Sequence, residues 1–309
     1  MITTVTLNAS IDKAYFLSNT FNKGKVFRVD KVRNSAGGKG LNVARVIHLN
    51  GCSVVATGFL AGYNGKYLEN LLEKDHIDHV FFHVDGETRS CINIIDKDNI
   101  STELLEPGMT VSEENLQQYR EKLREIVADS KVVSISGSLP RGVRTDYYAT
   151  LITDLKQIGK KVILDTSGEA LVAGINASPT LVKPNIEEIE QLFHTKINNE
   201  KELVQYMKKI ASSGVKYVVV SLGSKGAIML HRDKILLGTP PKIHAVNTVG
   251  CGDSMVAAFS MGLDQELETA ELLKSAIAFG AANALSSDTG YFDKHDLDRM
   301  LADTTITVL

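Results

Sequence analysis

Residues 131–165 read KVVSISGSLPRGVRTDYYATLITDLKQIGKKVILD, and this stretch decides the fold of the 309-residue chain. It holds an apolar strand at 131–136, an amphipathic helix at 145–157 and a second apolar strand at 161–165. Short apolar strands separated by such helices are typical of a parallel sheet that helices cover on both faces. The stretch therefore predicts an α/β fold built on a mostly parallel central sheet.

The same alternation continues on both sides of this stretch. Apolar residues recur at helical spacing between the short strands, as at Leu116, Tyr119 and Leu123. We therefore expect one α/β domain over residues 1–309. The further predicted strands cover residues 2–7, 54–59, 180–184 and 216–222, and the further predicted helices cover residues 41–50, 65–74, 113–128, 186–193, 200–213, 252–263, 266–287 and 293–302.

Two stretches depart from this alternation. Residues 13–34 are irregular with a β-leaning composition, and residues 80–106 contain β-rich runs separated by turn pairs such as Asp85-Gly86. Neither stretch fits the order of helices and strands around it. We therefore predict a small β-sheet lid added to the main domain, formed by segments at approximately 11–34 and 80–106.

The composition excludes several classes of protein. The chain has 34 Lys+Arg against 37 Asp+Glu, a formal net charge of −3, which argues against a polybasic nucleic-acid binder. No apolar run approaches the roughly 18 residues of a membrane span, and the start, MITTVTLNASID, lacks the features of a signal peptide. The three cysteines, Cys52, Cys91 and Cys251, are far apart and fit a reducing cytosol. We expect a cytoplasmic protein that binds neither nucleic acid nor a membrane.

The strongest chemical motif is Asn-Thr-Val-Gly-Cys-Gly-Asp at residues 247–253, directly before a predicted helix. Gly250 and Gly252 would let backbone N–H groups converge on an anion, and the helix dipole would favour its negative charge. Asp253 could accept the proton of an attacking hydroxyl. The local pattern fits an ordinary turn, with Asp253 as the helix cap, equally well.

Two well-known nucleotide-binding motifs are missing or incomplete. The Walker A pattern G-x-x-x-x-G-K-[ST] does not occur, which excludes a P-loop fold. The dinucleotide pattern G-x-G-x-x-G is interrupted in both glycine-rich loops, because Val43 and Met255 stand where its last glycine belongs. A nicotinamide-dependent Rossmann dehydrogenase is therefore disfavoured and remains a minor alternative.

A second glycine-rich loop reads Gly-Gly-Lys-Gly-Leu-Asn at residues 37–42. Its glycines would allow the backbone to approach a ligand closely. Lys39 would place a positive charge on a phosphate, and Asn42 could bond sugar hydroxyls. A flexible turn before a helix is the plainer interpretation of the same residues.

Two further loops follow predicted strands, where ligands bind in doubly wound sheets. Residues 183–188, Lys-Pro-Asn-Ile-Glu-Glu, place Asn185 and Glu188 on the first turn of a helix. Such a pair suits a hydrated Mg²⁺, although helix capping explains it more simply. Residues 221–226, Ser-Leu-Gly-Ser-Lys-Gly, form a loop of small residues for which a plain turn suffices.

Taken together, the motifs resemble the PfkB/ribokinase family of sugar kinases over nearly the whole chain. Within that family, TLNASID, GETRSCI and NTVGCGDSMVA resemble the branch that contains tagatose-6-phosphate kinase and 1-phosphofructokinase. The motifs occur in the family's order and are TLNASID at 6–12, GGKGLN at 37–42, SGSLPRG at 136–142, KPNIEE at 183–188, SLGSKG at 221–226 and VGCGDS at 249–254.

This resemblance implies a ribokinase-like, three-layer α/β/α fold with a β-sheet lid, and phosphoryl transfer from ATP with Mg²⁺. Asp253 would be the catalytic base, and the backbone of Gly250, Cys251 and Gly252 would form the anion hole. The nucleotide side would comprise Lys183, Asn185, Glu188, Ser221, Gly223 and Gly226, of which Asn185 and Glu188 would place Mg²⁺ through water. The substrate side would comprise Asp12, Arg28, Gly38, Lys39, Asn42, Arg89 and Ser138.

The resulting hypothesis is an ATP-dependent kinase that converts a ketohexose monophosphate to the bisphosphate. Tagatose 6-phosphate and fructose 1-phosphate are the leading substrates, and fructose 6-phosphate is the third. One alternative is a kinase of the same fold that acts on a neutral sugar or a nucleoside, and another is a non-catalytic sugar-phosphate sensor. An open lid edge would also provide a contact for a homodimer.

Overall fold

Two β-sheets organise the protein, whose computed structural model describes residues 1–98 and 100–309. The strands, in chain order, are β1 (Ile2–Thr6), β2 (Ser10–Phe16), β3 (Lys31–Gly37), β4 (Val54–Ala61), β5 (Asp78–Val84), β6 (Arg89–Ile95), β7 (Ser101–Leu105), β8 (Val132–Ser136), β9 (Lys161–Asp165), β10 (Leu181–Val182), β11 (Tyr217–Ser221), β12 (Ala227–His231), β13 (Lys234–Thr239) and β14 (Thr305–Val308). Among the described residues, ten strands form the large sheet in the order β14-β13-β12-β11-β10-β9-β8-β1-β4-β5, and four form the small sheet in the order β3-β2-β6-β7.

The helices follow the predicted pattern closely. Those expected from the sequence are present, with ends shifted by three residues or fewer, and α5 is an addition that its short, largely apolar sequence did not reveal. No helix in the described part of the chain is long and apolar enough to cross a membrane. The helices are α1 (Lys39–Leu49), α2 (Gly62–Lys74), α3 (Glu113–Ile126), α4 (Tyr147–Gln157), α5 (Gly168–Asn176), α6 (Ile186–Phe193), α7 (Glu200–Ser212), α8 (Cys251–Asp264), α9 (Thr269–Leu285) and α10 (Lys294–Asp303).

The large sheet separates two hydrophobic cores. Its strand β1 is buried along its whole length and runs parallel to both of its neighbours, β4 and β8. Side chains alternate between the faces of a strand, so Ile2 belongs to the same core as Val256 of α8 on one face, and Val5 belongs to the same core as Tyr148 of α4 on the other. The three-layer, ribokinase-like α/β/α fold is therefore confirmed.

One end of the large sheet is antiparallel. β12 pairs antiparallel with β11, and β13 and β14 continue the sheet in the same manner. The hairpin between β12 and β13 turns through Arg232, whose φ of 55° lies in the left-handed region. We did not predict these three strands, because helix–strand alternation gives no signal for a hairpin added at a sheet edge.

The small sheet is the lid, and its second segment begins later than we expected. Residues 80–84 belong to β5, which pairs in parallel with β4 at the edge of the large sheet. The segment therefore joins the lid at Arg89, where β6 pairs with β2. Both β5 and β6 have β-rich sequences, so composition alone could not tell which sheet each strand would join.

Candidate active site

The predicted site loops at residues 183–188 and 221–226 follow β10 and β11 of the large sheet, whereas the loop at 37–42 follows β3 of the lid. The neighbouring strands β1, β8, β9, β10 and β11 all run parallel, so their carboxyl ends point the same way. Loops at the carboxyl ends of parallel strands converge on a crevice. This topology brings together residues that are more than 200 positions apart in sequence.

The glycine-rich loop before α8 has the backbone that an anion site needs. Gly250 caps the helix with a φ of 84°, and a side chain there would collide with Thr289, whose Cγ2 lies 2.7 Å from an ideal Cβ position. Asn283 braces the loop by donating to the carbonyl of Val249 at 2.9 Å. A helix N-terminus held open in this way presents backbone N–H groups and the positive end of the helix dipole.

Asp253 lies in the first turn of α8 and is only 7% exposed. It is not the helix cap, because Gly250 holds that position, and its Oδ2 accepts a hydrogen bond from Asn42 Nδ2 at 2.8 Å. Burial raises the pKa of Asp253 to about 6, while the positive charge of Lys39 opposes the rise. A carboxyl with this pKa is ionised at neutral pH and remains basic enough to accept a proton.

Asp165 joins two lysines of the site. Its carboxylate lies 3.2 Å from Lys39 Nζ and 3.3 Å from Lys183 Nζ, and its side chain is 1% exposed. Burial alone would raise the pKa of Asp165, but the two lysines outweigh burial and hold that pKa below its ordinary value. The same ion pair raises the pKa of Lys39, so this lysine stays charged in the crevice.

Sequence reasoning missed Asp165, although a signal for it existed. Asp165 is the last residue of β9, and the apolar run of KVILD ends on this one carboxylate. An acidic residue at the carboxyl end of a parallel strand lies where ligands bind in such sheets. Applying that rule to every strand, rather than only to glycine-rich loops, would have found it.

Asn185 and Glu188 form a reciprocal capping box at the start of α6. Asn185 Oδ1 accepts from the backbone N–H of Glu188, and Glu188 Oε2 accepts from the backbone N–H of Asn185, both at 2.8 Å. Helix capping, the simpler of our two interpretations of this pair, is therefore observed in the structure. Burial raises the pKa of Glu188, and the negative charge of Asp165 adds to the rise.

The third loop adjoins this capping box. Ser221, the last residue of β11, bridges to Asn185 and donates its backbone N–H to the carbonyl of Pro184 at 3.1 Å. Gly223 lies in the following turn with a φ of 60°. Gly226 has a φ of 95°, and a Cβ there would lie 1.9 Å from the carbonyl oxygen of Gly238, so packing alone requires glycine at this position.

The lid strand β2 carries Asp12, another predicted site residue. Asp12 Oδ1 accepts from Ser10 Oγ at 2.7 Å, and a Cβ on Gly37 would lie 2.0 Å from Asp12 Cγ. The first glycine of the GGKG loop thus makes room for this carboxylate. The second, Gly38, caps α1 with a φ of 104° and places Lys39 at its start.

Arg89 and Ser138 meet at Asn8. Arg89 Nε donates to the carbonyl of Asn8 at 3.1 Å, and Asn8 Nδ2 donates to Ser138 Oγ at 3.2 Å. The structure does not bring Arg28 to this group. Arg28 lies exposed in the segment between β2 and β3, and no hydrogen bond or ion pair joins it to the other site residues described.

In the described residues, no cluster of three or more His, Cys, Asp or Glu side chains could hold a metal ion by itself. Besides Asp253, the predicted nucleotide loops and β9 supply oxygen donors from Asp165, Glu188 and the Asn185 amide, and the last two already bond backbone groups. This donor set fits a cation such as Mg²⁺, which keeps several waters and takes further ligands from substrate phosphates. It does not fit a metal that needs a full set of protein ligands.

Known proteins of similar sequence and structure point in one direction. The family described as pfkB family carbohydrate kinase matches residues 5–295. A tagatose-6-phosphate kinase of Staphylococcus epidermidis is 41% identical over 303 residues, 97% of each chain. The phosphofructokinase-2 of Escherichia coli, solved in complex with potassium, is 31% identical with a TM-score of 0.92 and covers 97% of this chain and 98% of its own. A Thermotoga maritima protein titled "Possible 1-phosphofructokinase" is 26% identical with a TM-score of 0.90 and covers 100% of this chain and 99% of its own.

Proposed function

The chain belongs to the pfkB family of carbohydrate kinases, and we propose that it transfers the γ-phosphoryl group of ATP to a hydroxyl of a ketohexose monophosphate. The product is the ketohexose bisphosphate. Tagatose 6-phosphate is the leading substrate, because the tagatose-6-phosphate kinase is 41% identical over nearly the whole chain. Fructose 1-phosphate and fructose 6-phosphate are the next candidates, since the structural neighbours carry phosphofructokinase names.

One observation carries the proposal: a buried carboxylate lies at a helix N-terminus that is built to hold an anion. Asp253 has the pKa of a general base, about 6, and it sits three residues after the left-handed Gly250. Lys39 lies close enough to lower that pKa by its charge. A base, an anion site and a cation within one crevice are the parts that phosphoryl transfer needs.

The chemistry follows from this arrangement. The acceptor hydroxyl attacks the γ-phosphorus of ATP while its proton passes to Asp253, and the bond between the γ-phosphorus and the bridging oxygen of ADP breaks. Backbone N–H groups of Gly250, Cys251 and Gly252 would bond the phosphoryl oxygens, and Lys39 would offset their charge. Most of the acceleration would come from positioning and from charges already in place.

The nucleotide would lie along the loops at residues 183–188 and 221–226. A Cβ on Gly252 would come 3.4 Å from Lys183 Nζ, so glycine keeps the path between that lysine and the anion loop free. Mg²⁺, when bound, would neutralise phosphate charge. Asn185 and Glu188 would hold the ion through water, since their side-chain oxygens also serve the capping box.

The substrate would bind between the lid and the second glycine-rich loop. Asp12 and Asn42 would bond sugar hydroxyls, with the Gly38 backbone close to the sugar. Arg89 and Ser138 would receive the phosphate that the substrate already carries, because a guanidinium forms paired bonds with phosphate oxygens. Arg28 would join them only if the segment at 17–30 moved or a second chain supplied it.

The lid also supports a proposal of self-association. Its two edge strands, β3 and β7, expose Val32, Leu104 and Leu105, which are 52%, 54% and 63% accessible. Open strand edges with apolar side chains favour pairing with another chain. We expect a homodimer through the lid. Light scattering should show that the double substitution Leu104→Lys/Leu105→Lys shifts the protein from dimer towards monomer. A wild-type protein with a mass of 33.7 kDa in solution, the mass of one chain, would contradict this expectation.

We also propose that the protein works in the cytosol. Its three cysteines are unpaired in the structure, and Cys251 lies within the anion loop. A free thiol at that position would be open to oxidation outside a reducing compartment. Fractionation of cells that express a tagged chain tests this location directly.

A coupled assay of ADP release tests the proposed function. Purified protein is offered MgATP with tagatose 6-phosphate, fructose 1-phosphate, fructose 6-phosphate or unphosphorylated hexoses, and kcat/KM is measured for each. We expect at least a tenfold preference for one phosphorylated ketohexose, about 1.4 kcal/mol in transition-state binding. Turnover of neutral sugars alone would replace the proposal by a neutral-sugar kinase, and ATP binding without any turnover would indicate a sensor.

A further inference from the structure

Arg45 of α1 is a charged side chain buried beneath the crevice, and no role has been assigned to it so far. It is only 2% exposed. Burying a guanidinium is strongly unfavourable unless partners take up its charge and its donors. The partners of Arg45 therefore indicate what this residue does.

The guanidinium touches four different parts of the fold. Its Nη1 donates to Asn42 Oδ1 at 3.0 Å, and its Nη2 donates to the carbonyl of Ala36 in the lid strand β3. Its Nε lies 3.5 Å from Asp75 Oδ2, at the end of α2. Its charged carbon lies 5.4 Å from the ring centre of Tyr291, which follows α9. Arg45 therefore ties α1 to the base of the lid and to the C-terminal region.

The hydrogen bond from Arg45 sets the orientation of the Asn42 side-chain amide, which also bonds the proposed catalytic base. Arginine has donors only, so it can face only the oxygen of that amide. The Nδ2 group of Asn42 is then directed away, and it donates to Asp253 Oδ2 at 2.8 Å. Two consecutive hydrogen bonds thus connect Arg45 to the proposed catalytic base.

The space around Arg45 is tight enough to hold this arrangement. A Cβ on Gly290 would lie 3.3 Å from Arg45 Nη1 and 3.3 Å from the backbone oxygen of Asn42. The guanidinium is therefore enclosed on the side of residue 290 as well as by its bonding partners. A long side chain held at several points loses little further freedom when the site is occupied.

We propose that Arg45 is a positioning residue for phosphoryl transfer: it fixes the Asn42 amide, which in turn orients the Asp253 carboxylate towards the acceptor hydroxyl. This inference rests on the proposed kinase function of the site. Arg45 itself touches neither Asp253 nor the anion loop. Its effect on the reaction passes through Asn42.

The proposal predicts a change in the pH profile as well as in rate. The charged groups acting on Asp253 are Lys39 from α1, Asp165 from β9 and Lys183 after β10. The Cys251 thiol, whose pKa burial raises, is a further titratable group on the same helix. Arg45→Met leaves all four in place but releases the Asn42 amide. The hydrogen bond from Asn42 lowers the pKa of Asp253, so its loss should move the acid limb of kcat to higher pH.

The test compares Arg45→Met with Asp75→Asn, using the substrate that the wild type prefers. Both changes break the ion pair with Asp75, but only Arg45→Met frees Asn42. We expect Arg45→Met to lower kcat about tenfold or more, a size typical of a misplaced catalytic group. We expect Asp75→Asn to keep both kcat and the pH profile. Equal rate losses in the two variants, or an unshifted acid limb in Arg45→Met, would overturn the proposal.

A double-variant cycle separates the route through Asn42 from a general loss of structure. In an Asn42→Ala background, Arg45→Met should have no further effect on kcat, because the connection is already broken. Additive losses would overturn the proposal. If Arg45→Met does not fold, Arg45→Lys replaces it. Lysine keeps the positive charge but cannot reproduce the bonds to both Asn42 and the carbonyl of Ala36, so we expect the same loss of kcat and the same shift of the acid limb. A wild-type protein without kinase activity would overturn the proposed function instead, before any variant is compared.

Discussion

The crevice and the lid face one another across the proposed substrate site, and they are built in opposite ways. In the crevice, Asp253, Asp165 and Lys183 are all at least 93% buried, and each bonds or pairs with a partner. In the lid, Lys31 and Arg28 lie exposed, and β3 and β7 leave open edges. The buried side holds the groups that would act on the phosphoryl group, and the lid supplies Asp12 and Arg89 to the proposed sugar-phosphate site.

The contrast has a physical reason. Charges that stabilise a transition state are effective when they are fixed before the reaction and shielded from water. Groups that recognise and release a substrate must be accessible to solvent in the open state. Substitutions in the crevice should therefore affect kcat and stability, and substitutions in the lid should affect KM and association.

The largest effect should come from Asp253→Asn, which removes the proton acceptor and keeps the shape of the side chain. We expect kcat to fall about 10³-fold, within the range for loss of a general base. Binding of ATP, measured by calorimetry, should be retained. Asp264→Asn, at the far end of the same helix, is the matched control and should keep its activity. A kcat within tenfold of wild type would show that Asp253 is not the base.

Asp165→Asn should be the most destabilising substitution in the crevice. It leaves Lys39 and Lys183 without their shared anion, and we expect a loss of about 3 kcal/mol, as for other broken buried ion pairs. The control is Asp154→Asn, which breaks a more exposed pair with Arg120 and should cost about 1 kcal/mol or less. Urea unfolding followed by circular dichroism gives the free energy of unfolding of both variants. Equal losses of stability in the two variants would show that the ion pairs of Asp165 are no more important than an exposed pair.

The stability of the wild type should depend on pH through Asp253. Its pKa is raised by folding from 3.8 to about 6. Folding therefore favours the neutral form of the Asp253 carboxyl. The stability that this carboxyl allows is fully present below pH 4, where it is neutral in both states, and is lost as the pH rises through 6 and the folded protein must hold it ionised. Asp253→Asn cannot ionise, so relative to wild type it should gain up to about 3 kcal/mol between pH 4 and pH 8. Unfolding curves at the two pH values measure this, and a constant difference between the proteins would refute it.

The smallest effect should come from the lid. Arg89→Ala should raise KM for the phosphorylated sugar about tenfold, because one charged donor to the phosphate is lost. It should leave kcat within about twofold, and KM for ATP should not change. Lys97→Ala, another lid cation that lies in the turn after β6, serves as the control. An unchanged KM for the sugar phosphate would show that the phosphate is read elsewhere.

The sequence by itself determined the parts of the molecule that depend on local pattern. The apolar strands and amphipathic helices of residues 131–165 specified the parallel sheet, because side-chain periodicity is a property of short stretches. The glycine-rich loops marked the positions of Gly38 and Gly250, which do adopt backbone angles that glycine accommodates best. The motifs also specified the family, since their order along the chain is itself sequence information.

Only the tertiary structure decided which of these parts meet. Asp165 pairs with Lys39 across 126 positions of sequence, and Asn42 reaches Asp253 across 211. The sheet that β5 joins, the antiparallel edge and the burial of Arg45 were equally invisible beforehand. Contacts between distant residues depend on how the elements pack, and no local periodicity encodes that packing. The sequence therefore shows which residue types form the proposed site, whereas their ion pairs, pKa shifts and orientations arise only when the fold brings them together.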